Sequence, residues 1–458
     1  MKTPTIASSL LLVLLLILVS GCSGLRSLAG RIFHTNLPLV QDRGEAPSPC
    51  AGHPAVLVTD LLVYQTPDLA EPLPRVAYRD PVFGTCITRV TDRRSDRSAD
   101  DPSAGLKNEY SRVQSFNSDG SRLIVRGITA TWYLYDSATL MPITILPFCG
   151  QVDPRWDSSD PTVIYYVEEA RLMACDVDTL TLRTVHDFHP DLPGQTLAAV
   201  WTRGEGSPSL DGRYWGFMAE DADWEPVELL VYDQVEDRII SRRAVSGAPD
   251  IDNVTISPSG DYFLAWYDYC EPGQMGSDAN PCGLMAWDRN LQNGRGLLRI
   301  PGHGDLALDA AGREVLVYQD IETDYISMLD LASGAITPLR QIDFGHTAIG
   351  LHFSGRAFAR PGWAAVSTYN GGYPSAFTWM DDQVFVIELR ANGRVARLAH
   401  THSRYDESIE QDYWAEPHTS ANADLTRILF TSNWGRSGTE EVDVFVIDLP
   451  ADWPERLD

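Results

Sequence analysis

An all-β fold, a seven-bladed β-propeller, is predicted by three features of this 458-residue sequence: a recurring pair of apolar runs, a turn signal that opens each pair, and no long stretch of helical periodicity. Each repeat begins with turn residues leading into an alternating run, as in NSDGSRLIV, LDGRYWGFM, SPSGDYFLAW, DAAGREVLVY and ADLTRILFTS. A second apolar run follows and ends in an acid. It reads YLYD, MACD, LVYD, MAWD, SMLD, VIEL and VIDL, centred on Asp136, Asp176, Asp233, Asp288, Asp330, Glu388 and Asp448. Their spacing, about 40 to 60 residues, is the length of a four-stranded blade with loops of varying size. A TIM barrel or doubly wound sheet needs helical patterns between the strands, and these are missing. The segment from about 56 to 92, with AVLVTDLLVYQTP and CITRVTDR, supplies strands ahead of the first full repeat. It is positioned to complete the last blade, which closes the ring and removes exposed sheet edges.

The ends of the chain carry different signals. Residues 1–21 read as a secretory signal, with one lysine, the apolar core LLLVLLLILV and the processing site VSGC, so lipidation is expected at Cys22. Ser23 follows, where an aspartate would mark retention at the inner membrane, so an outer-membrane lipoprotein facing the periplasm or the cell surface is expected. Residues 22–55, with EAPSPCAGHP, read as a tether, and the propeller spans 56–458. Cys50, Cys86, Cys149, Cys175, Cys270 and Cys282 then lie in an oxidising compartment where disulfides persist, with their pairing left open. With 63 acidic against 36 basic residues and a net charge of −27, the chain is ill suited to nucleic acid. A polyanionic substrate needs a local basic exception on such a surface.

No P-loop, nucleotide fingerprint or nucleophile elbow is present. What remains is a set of cations and histidines. Arg112, Arg126, Arg155 and Arg203 fall beside turns or at strand ends of the first three blades. Each can clamp a carboxylate in bidentate fashion, or serve as an ordinary surface ion pair in an Asp-rich chain. The histidines crowd the last third, at His303, His346, His352, His400, His402 and His418, and none lies between His53 and His186. Cys270, Cys282, His303 and His352 make a mixed sulfur and nitrogen donor set suited to a structural zinc; a Cys270–Cys282 disulfide is the competing reading. Glu416 and His418, two apart, share one face of a strand and form a second metal arrangement.

Several long stretches resemble the propeller-type ulvan lyases over about residues 80 to 448: NEYSRVQSFNSDGSRLIVRG, WYLYD, VDPRW, VWTRGEGSPSLDGRYWGFMAE, PGHGDLALDAAGREVLVY, FARPGWAAVSTY and EPHTSANADLTRILFTSNWG. The last is also similar, more distantly, to oligogalacturonate lyases, in which histidines bind a divalent metal. The resemblance implies a lyase that cleaves a uronic-acid-containing polysaccharide by β-elimination, with no cofactor for the chemistry. An arginine suits neutralisation of the uronate carboxylate; a histidine or tyrosine suits removal of the C5 proton and protonation of O4. The family places catalytic histidines in W-H-L-Y-D and Q-W-H-P motifs, whereas this chain has Tyr133 in WYLYD and Asp157 in RWDSS. The resemblance therefore directs acid/base work to Tyr133 and Asp157, with Tyr214 as a further candidate, and carboxylate binding to Arg112, Arg126, Arg155 and Arg203. A chain that had lost elimination chemistry would remain a glycan-binding or scaffold propeller. A monomer is expected.

Overall fold

The computed structural model describes residues 50, 52–54, 56–245, 250–342, 349–370 and 377–457. The signal segment, Cys22 and nearly all of the tether lie outside the described residues. Strands order into seven antiparallel sheets, six of four strands and one of five. These are the seven blades of a β-propeller.

Blade 1 consists of Leu106–Lys107, Arg122–Gly127, Thr131–Asp136 and Pro142–Cys149, innermost strand first; blades 2 to 6 repeat this order. In blade 7 the inner three strands are Ser420–Ala421, Arg427–Ser432 and Asp443–Asp448. Its fourth is Cys86–Arg89 from the other end of the chain, flanked by Ala77–Arg79. CITRVTDR thus closes the ring, as the sequence predicts. AVLVTDLLVYQTP does not join a blade: it forms only bridges from Leu57 to Leu457 and from Val58 to Arg397, and Leu61, Leu62 and Val63 stay exposed. A Cys50–Cys86 disulfide fastens the tether's end to the closing strand.

The acid at the end of the third strand has a local cause in the first blades. Asp136 accepts the N–H groups of Ala138 and Thr139 at 3.1 and 2.7 Å, and Asp176 does the same for Asp178 and Thr179. Each carboxylate thereby satisfies the turn donors that the hairpin leaves unpaired. The preceding turn between first and second strands places Gly120, Gly212, Gly260 and Gly312 at φ of 73, 75, 76 and 77°, where a Cβ is strained. Because Arg122 lies opposite Asp136, both kinds of turn fall on the same face of the ring. Lys107, opposite Arg126, marks the other face.

Blades stack face to face and bury both surfaces. Ile124, Trp132 and Leu134 of blade 1 pack with Trp156, Tyr166 and Met173 of blade 2, and the same kind of layer lies between the other neighbours.

Candidate metal-centred site

On the face opposite the turns, side chains from blades 1, 6 and 7 meet. The inner strand Ile349–Ser354 of blade 6 brings His352, and the segment entering Ser420–Ala421 of blade 7 brings Glu416 and His418. All three are buried, and their ligand atoms lie within 4.8 Å of one another. His418 Nε2 is 3.0 Å and His352 Nε2 3.4 Å from the same Glu416 oxygen. Both ring nitrogens of His352 are buried without a hydrogen-bond partner. An unsatisfied buried imidazole beside a shared carboxylate is costly unless something else occupies the space. Two imidazoles and a carboxylate fit a divalent transition ion.

Burial, reinforced by Lys107, holds His418 well below the ordinary histidine range, and burial with neighbouring His303 does the same for His352. Both rings are therefore neutral, as ligation requires. Burial pushes the Glu416 carboxyl up to about 7 against the pull of Lys107. Lys107 Nζ stands 3.3 Å from His418 Nδ1. With Lys107 charged, the ammonium donates to Nδ1, leaving Nε2–H to donate to Glu416. Burial and the adjacent Arg126 bring the Lys107 ammonium down to about 8. Tyr110 sets its ring against both histidines, with centroids 5.4 Å from His352 and 4.9 Å from His418.

Two arginines flank this centre, each neutralised by a glutamate and set on tryptophan. Arg126 pairs with Glu109 at 3.2 Å and stands 5.9 Å from the rings of both Trp132 and Trp414. Arg112 pairs with Glu205 at 2.9 Å and Asn253 at 3.1 Å, 4.7 Å above Trp266. Lys107, Arg112 and Arg126 are all buried here, with Glu416, Glu205 and Glu109 as their counter-charges, so the local basic exception that a polyanion needs is present only as cations already paired.

Of the remaining sequence candidates, His303 lies beside the cluster and the others lie elsewhere. Tyr133 is fully buried between blades among Leu123, Val125 and Tyr135, where its hydroxyl donates to Asp101 at 2.5 Å. It is a core tyrosine, and burial together with the Asp101 carboxylate raises its hydroxyl. Asp157 sits in a turn on the opposite face, accepting the N–H groups of Ser159 and Asp160 and the Tyr165 hydroxyl. Tyr214 begins its strand opposite Asp233, also on the turn face, with the Arg289 guanidinium 3.8 Å from its ring. These three positions correct the expected acid/base set.

Arg155 donates to the carbonyls of Gly204 and Gly206, so it braces a turn and clamps no carboxylate. Arg203 is held by Glu220 at 2.6 Å and by the Ile251 carbonyl, a clasp between blades 3 and 4. Cys270 and Cys282 are joined in a disulfide, which removes both sulfurs from any zinc site. His303 hydrogen-bonds the Leu351 carbonyl and lies 5.0 Å from the His352 ring, beside the cluster. The i, i+2 spacing of Glu416 and His418 was the sequence signal for two members of this candidate cluster; Glu109, Tyr110 and Glu205 lie in NEYSR and EGSPS, stretches more polar than blade packing needs, and Lys107 gave no signal.

Among solved structures similar to this chain is an oligogalacturonate lyase in complex with manganese: 16% identity, covering 82% of this chain and 96% of that one, TM-score 0.56. Another is an oligogalacturonate lyase from Vibrio parahaemolyticus, at 13% identity, 82% and 97% coverage and TM-score 0.55. No protein-family model and no curated protein matches the chain. The likeness is one of fold, and it extends over nearly the whole of both lyases.

Proposed function

We propose that the protein is a lipoprotein lyase that cleaves a uronic-acid-containing polysaccharide, ulvan-like or polygalacturonate-like, by β-elimination at the His352–Glu416–His418 centre. The observation that carries this reading is the convergence of that donor set with three buried cations, on a fold shared with two oligogalacturonate lyases. His352, Glu416 and His418 would hold a divalent cation such as the manganese of the similar lyase. When bound, the cation supplies positive charge that polarises the uronate carboxylate and acidifies the C5 proton.

The chain's own groups do the rest. Arg112 and Arg126 place guanidinium charge on either side of the centre and orient the uronate. Lys107, beside His418 and 5.2 Å from the Trp414 ring, takes the C5 proton as the neutral amine that its lowered value of about 8 makes accessible. Tyr110, against both histidine rings, gives a proton to the departing O4. Trp414 offers a flat apolar face to the sugar.

The test is incubation with polygalacturonate and with ulvan, with and without added manganese, following the ultraviolet absorbance of the unsaturated product. Absorbance that rises with metal and disappears on chelation is expected. No absorbance from any uronan, with binding retained, replaces this reading with that of a glycan-binding propeller. The second reading draws its support from the two arginines being already neutralised by Glu109 and Glu205.

A further inference from the structure

Arg112 is a buried cation of the site, and its ligand position is already taken. Glu205 pairs with it at 2.9 Å, yet the Glu205 side chain is 22% exposed while that of Arg112 is 7% exposed. The carboxylate is therefore the more solvent-accessible member of the pair. Arg112 Nε is buried with no partner, so the guanidinium retains an unsatisfied donor.

Glu205 occupies the tip of a braced turn. Arg203 and Gly204 have φ of 57 and 86°. Arg155 holds the Gly204 and Gly206 carbonyls, and the Gly206 N–H donates to Thr202 Oγ1 at 3.1 Å. A Cβ at Gly206 would stand 2.0 Å from the Val254 carbonyl, so the turn is pressed against blade 4. With the backbone fixed, the Glu205 side chain is the part free to turn away.

We propose that Glu205 stands in for the substrate's carboxylate in the free protein: an entering uronate takes over Arg112, and the released Glu205 takes up one proton from solvent. This rests on the lyase reading of the site. The exchange conserves charge, since one carboxylate enters the pocket as another is neutralised. Asn253 makes it feasible, because its amide oxygen keeps its bond to Arg112 while its Nδ2, donating to Asp252 at 2.9 Å, holds Glu205 only weakly at 3.4 Å.

The surroundings decide why release leads to protonation. Burial pushes the Glu205 carboxyl up to about 7, with Arg112 as the main opposing influence and Asp252, Asp305 and Glu109 reinforcing the rise. Arg155 adds a more distant positive charge, and the hydroxyls of Tyr110 and Tyr413 also face Glu205. Once Arg112 is engaged by another carboxylate, acids dominate what remains. The proton affinity of Glu205 then rises further, and uptake is greatest between its free and its bound values, above pH 7.

β-Elimination itself leaves the proton balance unchanged, because the proton lost from C5 is matched by the one gained at O4. Net uptake on mixing therefore reports binding, and Lys107, brought down to about 8, contributes to it alike in the wild type and in Glu205→Gln. The experiment mixes the metal-loaded protein with trigalacturonate, or with an ulvan oligosaccharide, in weakly buffered solution near pH 8 containing an indicator dye. About one proton more per site is expected for the wild type than for Glu205→Gln. Binding with equal uptake in the two proteins overturns the proposal and leaves the lyase reading intact. No binding and no turnover with any uronan overturns both. Should Glu205→Gln fail to fold, Glu205→Ala takes its place in the same comparison.

Discussion

The two faces of the propeller use the same side chains in opposite ways. On the turn face, Asp136 and Asp176 are drawn below the ordinary carboxylate range, chiefly by the backbone N–H groups of Thr139 and Thr179. On the other face, burial pushes Glu205 and Glu416 up to about 7. Turn acids find their partners within three residues, in contact with water. Channel acids are desolvated and draw on other blades as well, Glu205 on Arg112 and Glu416 on His352 and Lys107. A carboxylate satisfied locally is scaffold; one held in a dry, crowded channel is available for binding and proton transfer.

The sharpest way to break this comparison is to remove a group from the channel. His418→Ala should lower metal-dependent turnover by more than the roughly 100-fold typical of losing a residue behind a metal ligand, and should weaken manganese binding in parallel. Turnover that survives would move the chemistry elsewhere on the fold. Arg112→Ala should raise KM for a uronan about thirtyfold, corresponding to about 2 kcal/mol for a charged hydrogen bond, with the fold retained by thermal melting.

Tyr133→Phe sharpens the boundary between site and core. It removes a buried hydrogen bond to Asp101, so stability should fall by about 1 kcal/mol in denaturant titration while kcat stays unchanged. A loss of kcat with stability intact would return Tyr133 to the site.

The smallest effects belong to the turn face. Asp136→Ala should cost about 0.5 kcal/mol and leave activity untouched. The pH dependence has a definite sign there. A carboxyl with a lowered folded value contributes stability that is complete above about pH 4, its unfolded value, and is lost as pH falls through the folded one. Melting temperatures should therefore decline below about pH 4, and turn-acid variants should decline less.

The propeller was legible because each blade restates its own rules nearby: a turn, an alternating run, and an acid that caps the next turn. Closure by CITRVTDR was legible for the same reason. The site was legible in parts, with Arg112, Arg126, His352 and the Glu416–His418 pair marked in the sequence, but its assembly was not. Tyr133 misled because blades pack on both surfaces: Trp132, Tyr133 and Leu134 are successive and all buried, so alternation cannot separate a channel position from a core one. Cys270 and Cys282 supplied two compatible chemistries, and the disulfide between them decided which was realised.

By itself the sequence determined the repeat, the blade count, the local capping chemistry and the acidity of the surface, all properties of short windows or of composition. Only the tertiary structure decided which histidine joins Glu416, and that Lys107 reaches His418 across 311 residues. It also decided that Arg112 meets Asn253 across 141. The physical reason is ring closure. Circular arrangement brings the first blade against the last and aims inner strands at one channel, so the contacts that create the site have no counterpart in sequence spacing.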